Sequence, residues 1–231
     1  MKSTIYSNKE VIGTADLWVG DDGMDNIYGQ FLPNENYYMQ VRKSVWEFNK
    51  IPAPDNTKWA SLMLNVQLEN GYFLFASNGI TIEDLHEVES ETISIHIAGI
   101  DNHVIEDYFL QDPPVAFVEE PWEPLSIGQK IAFESELKKE LGIYSATEIE
   151  ASPEEQHILS DFKVSALCTD QRNDDVLFVT RKTGFDQHFA VVHLSWKGSK
   201  ETQFYPGTTF FKDFDEFKYL KMFWDKIEWE D

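Results

Sequence analysis

A chain of 231 residues with 42% hydrophobic and 14% aromatic side chains can build one large core or two small ones, which excludes a disordered chain. Its net charge of −22 repels phosphate backbones and anionic bilayers. Direct nucleic-acid binding and membrane binding are therefore not expected, and a basic protein is the expected kind of partner.

The excess of acid is uneven, with 21 acidic and 6 basic side chains in residues 1–125. No run approaches the roughly 18 apolar residues of a membrane span, and the opening MKSTIYSNKEVIG lacks the apolar stretch of a signal peptide. The single cysteine, Cys168, excludes an internal disulfide. These features together predict a cytoplasmic protein.

Along the chain, VIGTADLWV (11–19) and NIYGQFLP (26–33) are strand-like and are separated by GDDGMD. Residues 34–50 form the next predicted element, a helix with Tyr37, Val41, Val45 and Phe48 on one face and Asn34 as its cap. IPAPDNT (51–57) ends that helix. From Trp59 to Glu69 the alternation of Leu62, Leu64, Val66 and Leu68 predicts a half-buried strand, and Asn70-Gly71 turns it into the return strand YFLFAS (72–77). TISIHIAGI (92–100) predicts another strand.

Residues 112–126 contain four of the nine prolines and read as an extended connector. Beyond it, a helix is expected over 127–142, ending at Gly142, with Glu134 and Lys138 as a possible ion pair. SPEEQHIL (152–159) opens with a capping box. Three strands follow at 163–169, 175–181 and 188–196, joined as an antiparallel meander. Asp213 then starts a last helix, whose Phe214, Phe217, Leu220, Trp224 and Ile227 are spaced to face the core. These elements predict an α+β fold of two small domains, 1–120 and 127–231, each a mainly antiparallel sheet packed with one or two helices.

Candidate chemistry is sparse. His188 and His193 share one strand but are five residues apart, so a regular strand puts them on opposite faces and they cannot share a metal ion. Asp174 and Asp175, which precede the partner strand, make an acid–base pair with His193 the one catalytic alternative. Ser195 and Cys168 lack the strand-to-helix elbow of an activated nucleophile. The six histidines show no zinc spacing, GDDGMDN lacks the full ligand pattern of a calcium loop, and no phosphate loop or dinucleotide fingerprint is present, so no metal or cofactor is expected. The acidic run 82–91, with Glu83, Asp84, Glu87, Glu89 and Glu91, is a candidate docking surface for a basic protein; its plainer reading is a solvated edge.

Two stretches carry a resemblance. Asp174-Asp175 before a hydrophobic strand, followed by His193, Leu194 and Trp196 in HLSW, resembles a small bacterial domain of unknown function spanning about residues 157–229. Gly29, Phe31 and Pro33, entering a helix, resemble a second such bacterial domain, although DDGMD departs from its usual Pro-containing loop. Neither resemblance implies an activity. The acidic two-domain style is similar to that of immunity proteins of bacterial toxin systems, which implies a non-enzymatic protein that binds and neutralises a basic toxin.

Overall fold

The computed structural model describes residues 1–20, 25–50, 56–84, 92–143, 156–202 and 204–231. The chain divides into two compact units, Met1–Ala116 and Phe117–Asp231, each an antiparallel sheet with helices. The predicted α+β class is therefore observed.

The first unit holds strands β1 (Lys2–Ser7), β2 (Glu10–Val19), β3 (Asn26–Pro33), β4 (Leu64–Leu68), β5 (Gly79–Glu83) and β6 (Ile93–Ala98), in the order β4-β1-β2-β3-β6-β5. One sheet face carries Ile5, Ala15, Leu17, Ile27, Phe31, Ile95 and Ile97 into the core. Gly29 is required on that face by packing, since a Cβ there would lie 2.5 Å from the Leu17 side chain. A π-helical turn (Tyr37–Val41) leads into α1 (Arg42–Lys50), burying Tyr37, Val41 and Val45, and Asn34 Oδ1 accepts the Tyr37 amide. The alternation from Leu62 starts later than expected, because Asn56–Ala60 forms a short helix, α2, before β4 begins at Leu64. The turn at Asn70-Gly71 forms, with Gly71 at φ 93°, but its return arm pairs with β4 only through a bridge between Gln67 and Phe73. The outer edge of β5 is closed by side chains: Trp59 Nε1 donates to the Ile80 carbonyl and Asn49 Nδ2 to that of Ile82. A third helical stretch, α3 (Asn102–Val104), continues through Leu110 as a π-helix.

The second unit orders its strands β11-β10-β9-β8-β7. The proline-rich stretch is more than a connector, because Trp122–Pro124 is an edge strand, β7, paired with β8 (Lys163–Asp170). The meander continues through β9 (Asp175–Arg181) and β10 (Phe189–His193) to β11 (Gly207–Phe211), an edge strand beyond the three expected. Helix α4 (Ile127–Glu140) begins with Ser126 and Gln129 in a reciprocal cap and ends at Gly142, with φ 73°. The capping-box start at 152–155 lies outside the described residues.

Helix α4 presents an unusually charged face inward, burying Lys130, Glu136 and Glu140 beside Leu137. Glu134 pairs with Lys130 rather than Lys138, at 2.5 Å, and Lys130 Nζ also donates to Ser165 Oγ and the Ala166 carbonyl. Burial lowers the Lys130 pKa, against the opposing pull of Glu134. Glu140 Oε1 accepts the amides of Ser195 and Trp196, both at 2.8 Å, and the Ser195 hydroxyl at 3.0 Å. Glu136 Oε1 accepts the Gly198 amide at 2.7 Å. These carboxylates hold the chain after β10 in a turn with Trp196 at φ 56°, so the strand expected to reach residue 196 stops at His193. Glu140→Ala strands those donors and is expected to destabilise the protein by about 3 kcal/mol, with an unchanged m value in urea unfolding. A loss under about 1 kcal/mol would contradict this clamp.

Candidate functional site

The site at the end of the second sheet begins with a cross-strand pair. Register places His193 of β10 opposite Asp175 of β9, so both side chains leave the same face. His193 Nδ1 lies 2.8 Å from Asp175 Oδ1, with the His193 side chain 59% exposed. The amide of Asp175 is capped by Asn173 Oδ1, which fixes the turn preceding β9. Asp174 points elsewhere, accepting the Trp196 indole N–H at 3.0 Å. Of the three candidate acid–base residues, Asp175 and His193 are thus brought together and Asp174 is not.

Behind the pair stands a network that ties the last helix to the end of the sheet. After Asp213, whose side chain caps Glu216, α5 (Phe214–Phe217), a π-helical turn (Lys218–Met222) and α6 (Phe223–Glu230) run as one helix. Lys221 lies 3.9 Å from Asp175 Oδ2 and 2.8 Å from both oxygens of Asp225. Asp225 also accepts Trp122 Nε1 at 2.8 Å and pairs with Arg172 at 2.8 Å. Arg172 in turn grips the fully buried Asp170 with Nε and Nη2. Burial acts to raise the Asp225 pKa, but hydrogen bonds from Lys221, Trp122 and Arg172 outweigh it and hold the carboxyl below its usual range.

The π turn changes which residues face the core. Inward positions run Phe214, Phe217, Met222, Asp225, with a step of five residues in the middle. The expected core stripe therefore splits: Phe214 and Phe217 are buried, whereas Leu220, Trp224 and Ile227 are exposed. With Tyr219 (73% exposed) and Phe223 they leave an apolar outer surface on a helix whose inner side carries a carboxylate.

The other predicted residues separate. Asp84 is buried, accepting Tyr37 Oη at 2.9 Å and Arg42 Nε at 2.7 Å, so it is committed inside the first unit and does not present itself to a partner. Burial tends to raise its pKa, yet the Arg42 guanidinium and its other donors keep the carboxyl low. Glu83 is exposed at the end of β5 and accepts the Ser94 hydroxyl; Glu87, Glu89 and Glu91 lie outside the described residues. Cys168 is fully buried, its thiol pKa raised by burial, and Ser195 is engaged by Glu140 and Glu201, so neither is a presented nucleophile. Among the described residues no group of three His, Cys, Asp or Glu side chains is arranged to hold a metal ion, and no helix is long and apolar enough to cross a membrane.

No family model, curated protein or solved structure matches the chain.

Nothing local in sequence marks Trp122 and Arg172 as partners of Asp225, because those contacts span up to 103 positions, whereas Lys221 and Asp225 are an i, i+4 pair on one helix. For Asp225, a depressed folded pKa means stability that is present above the unfolded value near 3.8 and lost as pH falls through the folded value. Asp225→Asn is expected to cost roughly 3 kcal/mol at pH 7. In urea titrations at a series of pH values, the gap between wild type and variant should close below 3.8; a gap independent of pH would refute the assignment.

Proposed function

We propose that this is a non-enzymatic protein that acts by binding a basic partner protein, in its most concrete form an immunity protein neutralising a basic toxin. The observation that carries the reading is the outward apolar face of the last helix: Tyr219, Leu220, Phe223, Trp224 and Ile227 are exposed, opposite a buried Asp225. Contiguous exposed aromatic side chains are the composition of interface centres, and folding leaves them in water only at a cost in solubility. The net charge of −22 supplies long-range attraction for a basic partner and suppresses self-association. Two further observations agree with binding rather than hydrolysis: Cys168 is buried and Ser195 is engaged.

The test is capture of the basic protein encoded beside this gene, followed by titration calorimetry. Association is expected to weaken steeply from about 50 to about 300 mM NaCl. Trp224→Ala should weaken it about tenfold or more without loss of fold. Salt-independent affinity, or full affinity in the Trp224 variant, would overturn the reading.

A second reading is favoured by the 2.8 Å contact between His193 and Asp175, which orients the ring and leaves it accessible, as a general acid–base pair needs. It predicts a turnover that His193→Gln and Asp175→Asn both abolish while partner binding persists. Turnover undiminished in the His193→Gln and Asp175→Asn variants would remove this reading.

A further inference from the structure

We propose that His157 is a proton-operated latch in the second unit: when neutral it ties the turn before β8 to the turn before β11, and a proton on Nδ1 releases that tie. The ring is buried at the head of a short 3-10 turn, Ile158–Asp161. Its Nδ1 accepts the Leu159 amide at 3.1 Å, and its Nε2 lies 3.0 Å from the Pro206 carbonyl oxygen. A backbone amide can only donate and a carbonyl oxygen can only accept, so both partners have fixed roles. Nδ1 therefore carries no hydrogen and Nε2 carries one, which makes the ring a neutral imidazole of a single tautomer. The bond to Pro206 spans 49 positions, so the ring is a tertiary tie as well as a local cap.

This geometry has no place for a second proton. An imidazolium donates at both nitrogens, so Nδ1–H would face the Leu159 N–H, donor against donor. Either the ring swings away and gives up Pro206, or the turn unwinds from it. Burial pushes the imidazole below its usual value near 6.5, and the Pro206 carbonyl pulls the other way less strongly. Among the described residues, the charged and titratable groups of the surrounding elements face solvent or one another. Asp161 and Lys182 pair at 3.3 Å; Lys163, Asp186, Tyr205 and Lys212 are exposed; and His193, opposite Gly207, is directed at Asp175. A lowered folded value means that the released state binds more protons. The tie therefore holds above 6.5 and weakens as pH falls from there through the folded value. Release frees the turn Phe204–Pro206, whose Phe204 and Tyr205 are exposed, and loosens the start of the edge strand β11.

The test is heteronuclear NMR on the isotope-labelled full chain. At about pH 8 the His157 ring is expected to carry its hydrogen on Nε2 alone. Below 6.5, hydrogen-exchange protection of the Leu159 amide should drop by up to about tenfold per pH unit, the slope of one proton, in step with titration of the ring. His157→Asn keeps an acceptor for that amide and has no proton to gain there, so the drop should disappear; His157→Gln is the second variant if Asn disturbs the fold. His193→Gln should leave the drop in place. The tautomer and the titration are read on the wild-type chain and need no variant. A hydrogen on Nδ1 at about pH 8 overturns the proposal. So does Leu159 protection that stays constant while His157 titrates, or the same drop in the His157 variants. Loss of protection across β8, β9 and β10 together before the ring takes up its proton also overturns it.

Discussion

The inward carboxylate of Asp225 sets the phase of the last helix, and through it the surface the second unit shows to solvent. An ionised carboxylate removed from water costs several kcal/mol unless donors surround it. Trp122, Lys221 and Arg172 supply those donors from an edge strand, the helix itself and the turn before β9. With Asp225 held there and Phe214 and Phe217 packed in the core, the chain between them must accommodate one extra residue, which it does as a π turn. The outward apolar stripe is the other side of the same constraint: a side chain opposite an inward carboxylate points at water whatever its polarity.

The same network organises the end of the sheet. Arg172 ties Asp170 to Asp225 across the hairpin of β8 and β9, and Lys221 bridges Asp225 to Asp175, which orients His193 at the end of β10. Beyond Leu194 the chain leaves β10, and Glu140 and Glu136 collect three of its amides. His193, Ser195 and Trp196 are therefore held by different partners, although they sit in one short motif. A surface mounted on elements locked this way keeps its shape before a partner arrives, which lowers the entropic cost of binding.

A small part of the acidity has a second role inside. Asp84, Glu136, Glu140, Asp170 and Asp225 are all buried, each turned toward amides, hydroxyls or cations of its own unit. Net charge counts these side chains with the solvated ones, so charge alone overstates what reaches a partner. Asp84 is the clearest instance: it belongs to an acidic run in sequence but is claimed by Tyr37 and Arg42 in the fold.

What the sequence by itself determined lies where the controlling interactions are local. The apolar runs of β2, β3, β8 and β9, the alternation in β6, the glycine end of α4, and the Asn34 and Asp213 helix starts are settled within a few residues, and they were legible together with the α+β class. Tertiary structure alone decided the pairing of Asp175 with His193, the burial of Asp84 and Glu140, the use of Trp122 as a strand, and the outward turn of Leu220, Trp224 and Ile227. Periodicity assumes a constant 3.6 residues per turn, and a π turn breaks that assumption without a local signature. Here it brings inward a carboxylate whose donors lie up to 103 positions away, and no window of sequence contains both ends of that interaction.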